Sequence, residues 1–139
     1  LKVQEDAEMI FIVDDSKAIR ERLAKMLSEI DGVKVIGEAS NAAEAVTGIR
    51  TLKPKVVILD IQMPDGNGIE VLKIIKQEKP APLVMMMTNH SSAYYREKCL
   101  KLGADYFLDK ARDFEKLVEI FKDLIERYGP EAVSGSINP

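Results

Sequence analysis

Met9-Ile10-Phe11-Ile12-Val13-Asp14-Asp15-Ser16 is an unbroken apolar run that stops on two acids. A run of this kind, with no polar alternation, fits a parallel strand covered on both faces. Three further runs end the same way: Lys55 to Leu59 leads into Asp60, Leu83 to Met87 into Thr88, and the stretch from about Asp105 to Leu108 into Asp109-Lys110. If these runs are parallel strands, their carboxyl ends meet along one sheet edge, where open α/β folds form a binding crevice. Three carboxylates, a hydroxyl and an ammonium would then share one pocket.

The segments between the runs read as helices. From about Lys17 to Ile30, Ile19, Leu23, Met26, Leu27 and Ile30 fall on one face, with Ser16 as the N-cap and Asp31-Gly32 as the stop. Val33 to Ala39 reads as a second strand, followed by a helix capped by Asn41 and broken at Lys53-Pro54. The turn-rich loop from Asp60 to Gly68 precedes a third helix carrying Ile69, Leu72 and Ile75. A fourth helix, from about Ser91 to Leu102, stops at Gly103, and a last one spans about Asp113 to Arg127. Strands alternating with helices predict an α/β doubly wound fold with helices on both faces of a parallel sheet, and the form expected of it is the five-stranded order 2-1-3-4-5 of a flavodoxin-like three-layer sandwich. The switch point of that order lies between strands one and three, which end in Asp14, Asp15 and Asp60. The expected organisation is an N-terminal extension over 1–8, one domain over 9–128, and a tail or linker start over 129–139.

Composition narrows the function classes. The 139 residues carry 20 Lys and Arg against 23 Asp and Glu, so the broad positive field of a nonspecific nucleic-acid binder is missing. Direct nucleic-acid binding by this chain is not expected. No apolar run reaches membrane-spanning length, and the charged start lacks the order of a signal peptide. The one cysteine, Cys99, reads as a small buried hydrophobe, which suits a reducing cytoplasm. Because Leu1 is not Met, the sequence is compatible with a longer parent chain.

Three carboxylates in one crevice repel one another, so either a pKa rises or a cation is present. Hard oxygen donors favour Mg²⁺, and three carboxylates, one divalent cation and the Lys110 ammonium sum to zero charge. Such a site suits phosphoryl transfer. Asp60, alone at the central strand, is the natural nucleophile, leaving Asp14 and Asp15 to hold the metal. Thr88 and Lys110 would each meet a phosphoryl oxygen. Neither a P-loop nor a Gly-x-Gly-x-x-Gly turn is present, which disfavours nucleotidase and dinucleotide sites.

In this order and spacing, Asp14-Asp15, Asp60 with Met63-Pro64 and Gly68, Thr88, Gly103-Ala104 and Lys110 resemble the CheY-like receiver domain of two-component response regulators. The resemblance runs from about Met9 to Arg127. It implies that Asp60 accepts a phosphoryl group from a sensor histidine kinase or phosphotransfer protein. It also implies Mg²⁺ held by Asp15, Asp60 and the Gln62 main-chain carbonyl, with Asp14 acting largely through water. Thr88 and Lys110 would bind phosphoryl oxygens. Phe107 matches the aromatic switch position that, with Thr88, remodels the face made by the fourth helix, fifth strand and fifth helix for an output partner. Gln62 and His90 stand where receivers tune hydrolysis of the acyl phosphate.

Three positions depart from the family pattern. Ala111 follows Lys110 where a proline in cis arrangement is usual, so this loop is expected to be trans or strained. Asn89 replaces a small residue after Thr88 and is expected to narrow access. Phe107 replaces the frequent Tyr and, lacking a hydroxyl, is expected to favour the inward position. Two other classes compete. A Mg²⁺-dependent phosphatase of the haloacid-dehalogenase type needs a second acid two residues after its nucleophile, where Gln62 and Ser16 stand instead. A phosphorylation-independent interaction module with a receiver fold would have no use for the complete acidic set.

Overall fold

A computed structural model describes residues 8–89 and 91–128. The expected extension, apart from Glu8, the expected tail, and His90 lie outside the described residues. Five strands form one parallel sheet: β1 (Glu8–Val13), β2 (Val33–Ala39), β3 (Val56–Leu59), β6 (Leu83–Thr88) and β7 (Tyr106–Asp109). Their order is β2-β1-β3-β6-β7, the expected doubly wound order 2-1-3-4-5 when the five sheet strands are counted in sequence. The helices are α1 (Lys17–Ser28), α2 (Ala42–Leu52), α3 (Gly68–Ile75), α4 (Ala93–Lys101) and α5 (Lys116–Tyr128).

The apolar runs divide residue by residue between the two faces, as the pleat requires. Phe11, Val13, Val57, Leu59, Val84 and Met86 face α2, α3 and α4, where they meet Ile49, Leu72 and Cys99. Ile10, Ile12, Val56, Ile58, Met85 and Met87 face α1 and α5, against Leu23, Leu27, Leu117 and Phe121. Each central strand is therefore buried on both sides, which is why these runs show no alternation in the sequence.

The helix starts follow their caps. Ser16 Oγ accepts from Ile19 N, Asn41 Oδ1 from Glu44 N, and Ser92 Oγ from Tyr95 N. Gly103, at φ +105°, ends α4 in a backbone conformation that side chains disfavour. Two elements differ from expectation. The loop after Asp60 contains a two-residue antiparallel hairpin, β4 (Gln62–Met63) with β5 (Gly66–Asn67), too short for strand periodicity to show. The last helix begins at Lys116 rather than near Asp113. Lys116 N donates to Asp113 O and Leu117 N to Phe114 O, so 113–115 form tight i to i+3 turns.

Candidate functional site

The register of three central strands builds the site. Val13 pairs with Leu59, and Asp60 N donates to Val13 O at 3.1 Å, which places Asp60 beside Asp14 just past the strand ends. Thr88 pairs with Asp109, and Lys110 N donates to Thr88 O at 3.0 Å. The sheet edge thus sets Asp14, Asp15, Asp60, Thr88 and Lys110 at neighbouring strand ends, with Asp15, Asp60 and Lys110 lining the cavity there and Asp14 and Thr88 buried behind it.

Lys110 bridges two of the three acids. Its Nζ lies 2.5 Å from Asp14 Oδ2 and 2.8 Å from Asp60 Oδ2. Asp60 Oδ1 accepts from Ile61 N at 2.7 Å, so both oxygens of this carboxylate are engaged. Asp14, Asp15 and Asp60 each present an oxygen within 4.8 Å of the others. Asp14 and Asp60 are buried while Asp15 faces solvent. Burial, the largest influence, pushes the Asp14 carboxyl above its ordinary pKa despite Lys110 and the Ser16 amide, and the Asp60 charge adds to the rise. Burial pulls Lys110 down, but hydrogen bonds and charge from Asp14 and Asp60 outweigh it, and its pKa is raised.

A cavity of about 490 Å³ opens over this cluster, lined by Asp15, Ser16, Asp60, Gln62, Asn89 and Lys110 among others. Its size and polarity suit a hydrated cation with a small anionic group. The donors fit Mg²⁺: they are hard carboxylate oxygens, and one of them is a buried acid whose charge is disfavoured without a further cation. Asn89 lines the wall of this cavity. Lys110–Ala111 is trans, one of the two arrangements expected; the cis bond among the described residues is Lys79–Pro80. Phe107 is buried on β7, paired with Met86. Gln62 is exposed and pairs with Asn67 in the small hairpin.

Several residues that hold the site were not singled out by its sequence. Arg20 NH1 donates to Asp14 O at 2.7 Å while its Nε meets Glu38 at 3.0 Å, tying α1, the acidic pair and β2 together. Asp65 accepts from Ala42 N and Ala43 N at 2.7 and 3.1 Å, which anchors the hairpin carrying Gln62 to the start of α2. Those amides hold the Asp65 pKa below its ordinary value. Asp109 accepts from Ser91 Oγ and from the amides of Ala111 and Arg112. An acid at a strand end followed by an acid four residues on was the available signal.

Comparisons with known proteins agree with this geometry. The family model described as response regulator receiver domain matches residues 10–122. A protein-glutamate methylesterase/protein-glutamine glutaminase of Idiomarina loihiensis is 37% identical over 131 residues, covering 90% of this chain and 34% of that protein. A putative transcriptional regulator of Pseudomonas aeruginosa is 35% identical over 119 residues, covering 86% of this chain and 57% of its own length. The chain therefore spans between about a third and just over half of these relatives. Among solved structures, the response regulator domain of Thermotoga maritima CheB superposes with a TM-score of 0.76 at 30% identity, covering 88% of this chain and 96% of that one.

Proposed function

The chain belongs to the response regulator receiver domain family of two-component signalling, and on that premise we propose that Asp60 is its phosphoacceptor. The observation that carries the reading is the Lys110 ammonium set between Asp14 and Asp60, with Asp15 beside them at the mouth of the cavity.

An Asp60 carboxylate oxygen forms a bond to phosphorus while the donor's bond to phosphorus breaks, and the donor leaves with the electron pair. The product is an acyl phosphate on Asp60. Asp15, Asp60 and the Gln62 carbonyl would hold Mg²⁺, with Asp14 acting largely through water, and the ion would supply positive charge to offset that of the transferred group. Lys110 turns from Asp14 and Asp60 to one phosphoryl oxygen, and the Thr88 hydroxyl donates to another. Movement of Thr88 is read out through Phe107 on the α4, β7 and α5 face, which meets an output partner. Gln62 and His90 tune the lifetime of the acyl phosphate.

The donor is a sensor histidine kinase or phosphotransfer protein, and the chain acts as a signalling acceptor rather than a turnover enzyme. The receiver spans 9–128, with an extension before it and a tail or linker start after it. Among the described residues no helix is long and apolar enough to cross a membrane. With a buried Cys99 and a mildly acidic charge, the reading is a cytoplasmic module that does not itself bind nucleic acid.

Incubation with acetyl phosphate and Mg²⁺, followed by intact-mass measurement, tests this. One added phosphoryl mass is expected in the parent chain and none in Asp60→Asn. Labelling retained by Asp60→Asn would overturn the nucleophile, and sustained release of phosphate from small esters would turn the reading to a phosphatase.

A further inference from the structure

The loop that presents Lys110 lacks the proline usual in its family, yet all five consecutive amides from Asp109 to Asp113 have a defined acceptor. Asp109 N donates to Asp113 Oδ2 at 3.0 Å, and Lys110 N to Thr88 O at 3.0 Å. Ala111 N and Arg112 N both donate to Asp109 Oδ1, at 2.8 and 2.9 Å. Asp113 N returns to Asp109 O at 2.8 Å. Three of these five amides therefore end on two side-chain carboxylates, each of which grips backbone across Lys110.

Both carboxylates are themselves anchored. Asp109 Oδ2 accepts the Ser91 hydroxyl from the loop after β6. Asp113 is buried, with Arg112 Nε at 3.2 Å and Lys116 Nζ at 3.4 Å from Oδ1. A proline at 111 would have no N–H for Asp109, so the clamp and a Lys-Pro turn are alternative ways of fixing the same backbone.

We infer that Asp109 and Asp113 form a reciprocal carboxylate–amide clamp that positions Lys110 for its contact with the phosphoryl group. They are positioning residues, acting through Lys110. The consequence for phosphoryl transfer rests on the proposed phosphoacceptor role of Asp60, whereas the placement of the Lys110 ammonium does not. A helix cap with a purely structural role would use the same hydrogen bonds, so the test must separate the two.

The first measurement is the rate of phosphorylation by acetyl phosphate with Mg²⁺, taken as a double-mutant cycle. Asp113→Ala is expected to slow the saturating rate about tenfold. Asp113→Asn, which keeps an acceptor for the Asp109 amide, should lose less. With Lys110→Ala already present, adding Asp113→Ala should change the rate by less than about twofold. An equal loss with and without Lys110 would make Asp113 merely structural and overturn the clamp.

The second measurement needs no phosphoryl chemistry. Lysine acylation by an activated acetyl ester, mapped by mass spectrometry on folded protein, should be slow at Lys110 in the parent chain, where its side chain is 9% exposed. It should rise about tenfold in Asp113→Ala, and in the same direction in Asp109→Ala, which removes the acceptor of the Ala111 and Arg112 amides, if the first variant does not fold. Unchanged Lys110 labelling in the folded variants would overturn the inference. A labelling increase in a protein whose parent chain takes no phosphoryl group would leave the clamp standing and remove the phosphoacceptor reading.

Discussion

A Cβ placed on Gly68 would lie 1.8 Å from the carbonyl oxygen of Asp60. Gly68 N also donates to Ile61 O, so the first residue of α3 is pressed against the backbone of Asp60 and Ile61. No rotamer change relieves a clash with main chain. Gly68→Ala is expected to destabilise the fold by about 3 kcal/mol or more, read from denaturant midpoints. Because the strand end must shift to admit the methyl group, Mg²⁺ affinity measured by calorimetry should fall as well.

A divalent cation bound at the acidic cluster would compete with Lys110, since Nζ already contacts Asp14 Oδ2 and Asp60 Oδ2. Without metal, Lys110→Ala leaves two buried carboxylates facing each other. A loss of about 2 kcal/mol is expected at neutral pH, less than the usual cost of breaking a buried pair because the cavity opens to solvent. Added Mg²⁺ should restore much of that stability, and its affinity should rise about tenfold over the parent chain once the ammonium is gone. Thermal melts with and without Mg²⁺ check the first part and titration calorimetry the second. Equal Mg²⁺ affinity in the two proteins would exclude competition.

The acids of the two loops respond to pH with opposite signs. The Asp109 amide, then the Arg112 side chain, hold Asp113 down from the ordinary 3.8 to about 2. A depressed folded-state pKa contributes stability that is present above 3.8 and lost as pH falls through about 2. Urea midpoints should therefore drop across that window in the parent chain and drop less steeply in Asp113→Asn. Asp14 is raised, so its contribution is greatest below 3.8 and is lost as pH rises through its folded value. Asp14→Asn should accordingly gain stability at neutral pH in the absence of Mg²⁺, and lose the stabilisation that Mg²⁺ gives the parent chain.

How much of this could be read beforehand follows from the range of the signals. Met9 to Val13 and Val56 to Leu59 were legible because burial on both faces leaves unbroken apolar runs, and the acids that end them fix the switch point. Ser16, Asn41 and Gly103 were legible because a cap depends on a few adjacent residues. The β4–β5 hairpin escaped because two residues per strand carry no period. Arg20 escaped because its partners, Asp14 O and Glu38, come together only when β1 and β2 pair. Asp109 and Asp113 each looked like an ordinary strand end or helix start. Their mutual grip on one loop depends on a backbone path that the substitution of proline by Ala111 left open to more than one solution.

Phe11 offers a test of packing on the sheet face away from α1 and α5. A Cβ on Gly48 of α2 would fall 2.6 Å from Phe11 Cζ, and one on Gly37 of β2 would fall 2.7 Å from Phe11 Cε2. The ring fills the space that both glycines leave, and it is 2% exposed, so it has nowhere to retreat. Gly48→Ala alone should cost about 2 kcal/mol by overpacking, even though alanine is the better helix former. Phe11→Leu alone should cost a similar amount by leaving a void. The two combined should be less destabilising than their sum by at least about 1 kcal/mol, because the added methyl group occupies part of the volume vacated by the ring. Chemical denaturation of the four proteins in the cycle measures the coupling, and simple additivity would mean that α2 moves away from the sheet instead of packing on Phe11.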